Sequence, residues 1–163
     1  MARVLIVGCG CRGRELAAAL ASEGHLVRGT TRREASLQAI GAAGAEAVVA
    51  DPDRLWTLLP HIPGVTAVCW LMGTAVADGE AVAALHGPRL ETMLEKLVDT
   101  PVRGFVYEAA GGVERRWLEH GATAVRAAAE TYHMPVEVVE SDPADRDAWL
   151  RCMRGAVARV VSA

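Results

Sequence analysis

The sequence is short of lysine and of aromatic residues, and both shortages limit its chemistry. Of its 17 Lys and Arg residues, only Lys96 is a lysine. It also contains 2 tyrosines, Tyr107 and Tyr132, and 1 phenylalanine. A reaction that needs a tyrosine and a lysine at a fixed spacing therefore has very few positions available.

Other absences exclude whole classes of protein. The 4 cysteines show no C-x-x-C spacing, so we expect no zinc site or other metal site and no disulfide framework. The histidines, among them His61, His86, His120 and His133, show no ligand spacing and are predicted to lie on the surface, with His86 facing the site as the alternative. No stretch has the composition of a membrane span, a signal segment or a nucleic-acid-binding stripe.

What remains is the composition of a globular chain. With 163 residues, 52% hydrophobic residues and a net charge of −3, the sequence predicts a single domain over residues 1–163. We expect it to be cytoplasmic, without nucleic-acid or membrane partners.

Strand and helix patterns alternate along the sequence, which favours a parallel sheet with helices on both faces. Six strands are predicted, at residues 3–7, 25–29, 46–50, 66–71, 104–108 and 136–140. Helical apolar stripes are formed by Leu90, Met93, Leu94 and Leu97, and by Trp149, Cys152, Met153, Ala156, Val157 and Val160. A short helix is expected after Asp51. The predicted fold is a doubly wound α/β Rossmann sheet of strand order 3-2-1-4-5-6.

The most informative segment is the glycine loop at residues 8–13, between an apolar strand and a helix-forming segment. This context makes G-x-G-x-x-G a dinucleotide-binding fingerprint, with an ordinary turn as the alternative. Gly8 would allow a tight turn, Gly10 would let a pyrophosphate approach the backbone, and Gly13 would let the helix pack on the strand. The variable positions are Cys9, Cys11 and Arg12. We predict that the pyrophosphate binds at the helix N-terminus.

The end of the second strand indicates which dinucleotide binds. An NAD site usually carries an acidic residue about 20 positions after the glycines, where it bonds the ribose 2′-hydroxyl. Thr31, Arg32 and Arg33 stand there instead. Because guanidinium groups bind phosphate through charge-assisted hydrogen bonds, we predict that NADP(H) is preferred over NAD(H). The alternative is that both arginines only solvate a loop. Arg12 either reaches the same phosphate or faces solvent.

Through these motifs the sequence resembles the extended and atypical short-chain dehydrogenase/reductase superfamily, which includes sugar-nucleotide epimerases and NmrA-like proteins. The resemblance covers nearly the whole sequence. It implies that Asp51 bonds the adenine amino group, with Pro52 beside the ring. It also implies that Leu71, Met72 and Gly73 lie beside the adenosine and its ribose. As an alternative, Asp51 caps the short helix that follows it.

The catalytic residues of that superfamily are missing. Its members carry a serine after the fifth strand, whereas Glu108, Ala109 and Ala110 stand there in this sequence. Its members also use a Tyr-x-x-x-Lys pair, and no such pair occurs here. Because a single predicted helix follows Pro143, we expect no separate substrate domain. The resemblance thus implies cofactor binding without the usual catalytic set.

Glu108 is the remaining candidate for chemistry. At the carboxyl end of a central strand it would point into the ligand crevice, or alternatively pair with Arg115 or Arg116. Tyr107 is interpreted as a packed strand residue rather than a general acid. Cys11 is either a redox-sensitive thiol near a helix N-terminus or a small loop residue.

Two functions follow from this set of residues. The first is a sensor or partner-binding module that reports the state of NADP, with a protein partner or a homodimer. The second is an NADPH-dependent reductase of a small or flat acceptor, in which Glu108 or solvent supplies the proton.

Overall fold

Six parallel strands form one sheet in the computed structural model, which describes residues 1–163. The strands are β1 (Arg3–Val7), β2 (Leu26–Thr31), β3 (Glu46–Val49), β4 (Ala67–Trp70), β5 (Gly104–Glu108) and β6 (Val136–Val139). Their spatial order is β3-β2-β1-β4-β5-β6, so the predicted Rossmann topology is confirmed. The largest difference from the predicted bounds is in β2, which continues to Thr31.

Six α-helices connect and cover the strands. They are α1 (Cys11–Ser22), α2 (Leu37–Ala42), α3 (Gly79–Leu85), α4 (Pro88–Leu97), α5 (Arg115–Tyr132) and α6 (Arg146–Ser162). The short helix expected after Asp51 is instead a pair of 3₁₀ turns, Leu55–Thr57 and Leu59–His61. No helix has both the length and the apolar character needed to cross a membrane.

The strands divide the interior into two hydrophobic cores, one on each face of the sheet. Leu5 and Val7 of β1 belong to the core under α3, α4 and α5, whereas Val4 and Ile6 belong to the core under α1, α2 and α6. Successive side chains of a strand point to opposite faces, and in a sheet covered on both faces both sets are buried. This is why the strands read as continuous apolar runs.

Of the two apolar stripes predicted on helices, one is buried completely and the other is buried except for one residue. Leu90, Met93, Leu94 and Leu97 of α4 are all buried, as predicted. In α6 the buried residues are Trp149, Met153, Ala156, Val157 and Val160, but Cys152 is exposed. The inclusion of Cys152 was wrong because the other five residues share a narrower face. At 3.6 residues per turn, position 152 is rotated well away from the middle of that face.

Candidate dinucleotide site

A groove crosses the carboxyl edge of the sheet, where β1 separates β2 from β4. Its larger cavity, of about 690 Å³, lies among the glycine loop and the loops after β2, β3 and β4. Its smaller cavity, of about 420 Å³, lies among the glycine loop and the loops after β4, β5 and β6. Both cavities are lined by Gly8, Gly10, Cys11, Leu71 and Thr74. The strand order reverses at β1, because β2 and β3 lie on one side of it and β4, β5 and β6 on the other. Open α/β sheets bind their ligands where the strand order reverses in this way.

Each glycine of the loop has the local geometry expected for it. Gly8 has a φ of +85°, and a Cβ there would lie 2.1 Å from the Cε atom of Met72. A Cβ on Gly10 would meet no atom within 4 Å, so this position faces open space. A Cβ on Gly13 would lie 3.1 Å from the carbonyl oxygen of Gly8, where helix and loop pack closely. The loop is therefore tight at both ends and open in the middle.

Backbone hydrogen bonds to Thr30 hold this loop against β2. The Cys9 N–H donates to the Thr30 carbonyl oxygen at 2.9 Å, and the Gly8 N–H donates to the Thr30 hydroxyl at 3.1 Å. Helix α1 then begins without a side-chain cap and without an acidic residue in its first turn. Its positive end is thus free for an anion.

The two cysteines of the loop have different environments. The Cys9 side chain is buried against Gly29, where a Cβ would lie 2.7 Å from its Sγ atom. Burial raises the pKa of the Cys9 thiol to about 12, so it stays protonated. Cys11 is exposed and lines both cavities.

Arginine side chains lie at the far end of the larger cavity. Arg32 and Arg33 follow β2 directly, are exposed and line this cavity together with Thr31. Neither arginine forms an ion pair, nor does Arg14, which lines the same cavity. Sequence reasoning missed Arg14, although it follows Gly10 by one helical turn. Ser36, also missed, lines this cavity but carries no distinguishing sequence signal.

Asp51 and Pro52 line the larger cavity on the side of β3. The Oδ1 atom of Asp51 accepts a hydrogen bond from the backbone N–H of Asp53 at 2.9 Å, which closes a local turn. The first 3₁₀ turn begins only at Leu55, with Arg54 as its cap residue. The alternative role of Asp51 as a helix cap is therefore wrong.

The loop after β4 contributes two of the three residues expected at the cavities. Leu71 lines both cavities and Met72 lines the larger one. Gly73 lines neither: its N–H donates to Glu108 at 3.0 Å, and its carbonyl oxygen accepts from the N–H of Val113. A Cβ on Gly73 would lie 1.9 Å from the Ala110 carbonyl oxygen. The loops after β4 and β5 meet at Gly73, and its expected place beside the adenosine stays a prediction.

Glu108 is buried, with 2% of its surface exposed, and lines the smaller cavity. Its Oε1 atom accepts from the N–H of Gly73 at 3.0 Å and its Oε2 atom from the indole N–H of Trp149 at 2.8 Å. Burial raises the pKa of Glu108 to about 7, although both hydrogen bonds favour the ionised form. The alternative pairing is wrong, since Arg115 pairs with Glu119 and Arg116 with Glu114.

Arg12 lies at the smaller cavity rather than the larger one. Its guanidinium lies 2.9 Å from a carboxylate oxygen of Glu15, and its Nε–H donates to the Pro143 carbonyl oxygen at 2.7 Å. Neither predicted alternative describes this geometry. The side chain ties α1 to the loop after β6 instead of reaching for the 2′-phosphate.

Tyr107 points away from the groove, into the core under α3, α4 and α5. Its hydroxyl lies 2.6 Å from Nδ1 of His86, and Nε2 of His86 lies 3.0 Å from the Met72 carbonyl oxygen. Burial lowers the pKa of His86, so the neutral ring donates from Nε2 and accepts from Tyr107 at Nδ1. His86 is fully buried, which contradicts its predicted surface position. The interpretation of Tyr107 as a packed strand residue is confirmed.

Comparisons with known proteins match the fold but not the sequence. No family model and no curated protein matches this chain. A putative NAD-dependent epimerase/dehydratase from Bacillus halodurans has a TM-score of 0.73 at 18% identity, over 87% of this chain and 71% of its own. UDP-glucuronic acid 4-epimerase from Bacillus cereus, solved with NAD, has a TM-score of 0.66 at 15% identity, over 85% and 55%. Vestitone reductase from alfalfa has a TM-score of 0.62 at 16% identity, over 86% and 56%.

At these identities the likeness is one of fold. The chain has a doubly wound Rossmann fold of the kind seen in these epimerase and reductase structures. It spans little more than half the length of the Bacillus cereus and alfalfa enzymes.

Proposed function

We propose that this chain is a cytoplasmic NADP(H)-binding protein of the atypical short-chain dehydrogenase/reductase type. In this proposal it lacks the usual catalytic set and works as a sensor or partner-binding module. The observation that carries the proposal is a single groove with an open glycine loop at its middle and unpaired arginines at one end.

The middle of the groove fits a pyrophosphate. Helix α1 has no side-chain cap and no acidic first turn, so its N–H groups and dipole favour an anion. Gly10 leaves open space in front of the backbone, where any larger side chain would stand in the way of the phosphates. These residues would hold the centre of the dinucleotide.

The arginine end fits a 2′-phosphate. Thr31 supplies a hydroxyl, and Arg32 and Arg33 supply guanidinium groups that no carboxylate neutralises. Arg14 adds a third unpaired guanidinium to the same cavity. With the adenosine 2′-phosphate at this end, the nicotinamide half extends into the smaller cavity, toward Glu108.

Titration calorimetry of the wild-type chain with NADP⁺ and NAD⁺ tests the cofactor proposal. Charge-assisted hydrogen bonds are worth about 1.5 to 3 kcal/mol each, so one such contact to the 2′-phosphate gives NADP⁺ an advantage of roughly tenfold to a hundredfold. Equal affinities for the two dinucleotides would refute the preference. Failure of both to bind would refute the assignment of the groove itself.

The sensor role rests on the missing catalytic residues. Ala109 and Ala110 carry no hydroxyl, and Tyr107 is bonded to His86 inside the core rather than exposed to the groove. General acid catalysis alone is worth about 10² to 10⁴ in rate, so we expect negligible turnover of ordinary aldehydes or sugar nucleotides. Robust turnover of such a substrate would contradict the sensor role.

A second candidate, an NADPH-dependent reductase, is favoured by one observation: a carboxyl lines the smaller cavity and has a pKa of about 7. Bound NADPH supplies a hydride, and Glu108 would hold a proton for the acceptor. The test is NADPH oxidation against quinones, flavins and aldehydes. If an activity is found, Glu108→Gln should lower kcat, and an unchanged kcat would remove Glu108 from the reaction.

A further inference from the structure

Glu108, which lines the smaller cavity, is a buried acid without an ion-pair partner. Both oxygens of Glu108 accept from neutral donors, the Gly73 N–H and the Trp149 indole N–H, and no Lys, Arg or His lies within ion-pair distance of the carboxyl. A buried carboxylate with this surrounding is costly to ionise, because burial in a medium of low dielectric disfavours its charge. A positive charge brought into the cavity would offset that cost.

The other ionisable groups around this cavity do not supply such a charge. Arg12 pairs with Glu15 and donates to the Pro143 carbonyl oxygen, and Arg146 of α6 pairs with the same Glu15, so both guanidinium groups are held away from Glu108. The Cys11 thiol is exposed. Asp142 is exposed and its Oδ1 atom accepts from the N–H of Ala144 at 2.9 Å.

The groups packed behind Glu108 supply none either. The side chain of Trp149 is neutral, and the neighbouring Tyr107 lies on the opposite face with its pKa raised by burial and by the Glu108 charge. With Glu108 ionised, the charged side chains that line this cavity are two acids, Glu108 and Asp142, and one base, Arg12, so the net charge of the lining is negative.

The larger cavity has the opposite balance, because its three arginines, Arg14, Arg32 and Arg33, are unpaired and outnumber its two acids. Of those acids, Asp53 pairs with Arg89 and Asp51 accepts from the N–H of Asp53. A dinucleotide bound with its 2′-phosphate at these arginines would present its nicotinamide half to Glu108. The oxidised nicotinamide ring is a cation and the reduced ring is neutral. The two redox states of one ligand therefore differ by a charge at the end of the groove where the buried carboxyl lies.

We propose that Glu108 makes this chain discriminate between the redox states, binding NADP⁺ more tightly than NADPH through attraction between its carboxylate and the oxidised ring. The inference rests on the proposed function, since it requires a dinucleotide in the groove. It gives the sensor a physical basis, because occupancy then follows the oxidised fraction of the cofactor. It also gives Glu108, which lies in the segment where superfamily members carry a serine, a function other than proton transfer.

The discrimination depends on pH in a defined direction. Below about pH 7 Glu108 holds its proton and the attraction to the ring is lost, and above it the carboxylate is present. Coupling between sites is reciprocal, so binding of NADP⁺ should lower the pKa of Glu108 and release protons near neutral pH. Binding of NADPH should release fewer.

The experiment is calorimetric titration of the wild-type chain with NADP⁺ and with NADPH, at about pH 6 and about pH 8.5. The measured quantity is the ratio of the Kd for NADPH to the Kd for NADP⁺. We expect this ratio to be about tenfold larger at the higher pH, the equivalent of one pKa unit of coupling. Repeating the titrations in buffers of different ionisation enthalpy measures the protons released.

Variants separate the charge of Glu108 from its packing. Glu108→Gln removes the charge, but the new amide NH₂ group would face one of the two N–H donors that bind the carboxylate. The substitution is therefore made together with Trp149→Phe, which removes the indole N–H donor. Trp149→Phe alone is the matched control and should keep the pH-dependent ratio. The double variant should bind both ligands with a ratio that no longer changes with pH.

Three outcomes are distinguishable. A ratio that rises with pH in the wild type and in Trp149→Phe, but not in the double variant, supports the inference. A ratio that is independent of pH in the wild type overturns it while leaving dinucleotide binding intact. Absence of binding by either ligand overturns the proposed function and the inference with it.

Discussion

The two ends of the groove hold their charges in opposite ways. At the larger cavity Arg32 and Arg33 are exposed and have no carboxylate partner. The smaller cavity is lined by a buried carboxyl, Glu108, whose two oxygens are both hydrogen-bonded. An exposed arginine has little effect on the free energy of unfolding and is free to bind an anion. Ionisation of a buried acid, in contrast, lowers the free energy of unfolding.

This difference decides what a substitution at each end can do. Loss of an exposed arginine should change binding and leave folding alone. Loss of Glu108 should change folding as well, because its side chain joins the Gly73 loop to Trp149 of α6. The predictions below test this contrast, from the largest expected effect to the smallest.

The largest effect is expected between the two ends, at Gly10. Replacement by valine places a branched side chain in the open space that faces the groove, so affinity for both NADP⁺ and NAD⁺ should fall by more than about a hundredfold. Because a Cβ there meets no atom within 4 Å, the fold should persist. Titration calorimetry and circular dichroism measure the two quantities.

Gly41→Val is the matched control, since Gly41 of α2 also has no neighbour within 4 Å of a built Cβ and does not line the groove. It should bind like the wild type. A folded Gly10→Val chain with normal affinity for NADP⁺ would show that the phosphates lie elsewhere.

The second prediction concerns the free energy of unfolding and Glu108. Its pKa rises from an ordinary value of 4.5 to about 7 in the folded chain, so the folded state holds the proton more tightly than the unfolded state. The stability it contributes is fully present below 4.5 and is lost as the pH rises through 7. The shift corresponds to about 3 kcal/mol.

Urea unfolding of the wild type and of Glu108→Gln across this pH range measures the effect. The difference between the two curves should fall as pH rises and then level off above neutrality. Glu130→Gln, at an exposed position of α5, is the control and should not alter the pH dependence. A difference that is flat from acid to neutral pH would show that Glu108 titrates normally.

The third prediction returns to the arginine end. Arg32→Ala removes a guanidinium that only a 2′-phosphate would engage, so affinity for NADP⁺ should fall by about tenfold or more while affinity for NAD⁺ stays nearly unchanged. Arg103→Ala, at an exposed arginine just before β5 and so at the opposite edge of the sheet, is the control. Equal losses for both cofactors would point to a general electrostatic effect rather than a phosphate contact.

The contrast between the two ends also separates what the sequence predicted from what it could not. The glycine loop, Thr31 and the arginines are neighbours in sequence and follow a strand, so local patterns were enough to place them at the edge of the sheet. The partners of Glu108 lie 35 and 41 residues away along the chain. Such pairings depend on how α6 and the loop after β4 pack, which no local pattern encodes.

The same limit explains the errors. Gly73 follows β4 as expected, but its close contact with the Ala110 carbonyl oxygen joins two loops that are distant in sequence, and no local pattern predicts that contact. No local sequence pattern marks His86 as buried, because its hydrogen-bond partner, Tyr107, lies 21 residues away. Arg12 has the residue type expected of a phosphate ligand, but it forms an ion pair with Glu15, which lies one turn along the same helix.

The smallest effect is expected behind the groove, at the hydrogen bond between Tyr107 and His86. Tyr107→Phe removes the hydroxyl that lies 2.6 Å from Nδ1 of His86, while the ring still fills its place beside Gly121. The neutral histidine donates from Nε2 to the Met72 carbonyl, so its Nδ1 is left without a donor inside the core. An unsatisfied buried acceptor costs at least about 1 kcal/mol, and we expect the free energy of unfolding to fall by about that amount.

Tyr132→Phe is the matched control, because Tyr132 lies at the end of α5 with 37% of its surface exposed. Its effect on stability should be close to zero. If both tyrosine variants unfold at the wild-type urea concentration, the His86 bond adds nothing to the fold. If Tyr107→Phe alone is less stable yet titrates with NADP⁺ like the wild type, Tyr107 stabilises the core without contacting the cofactor.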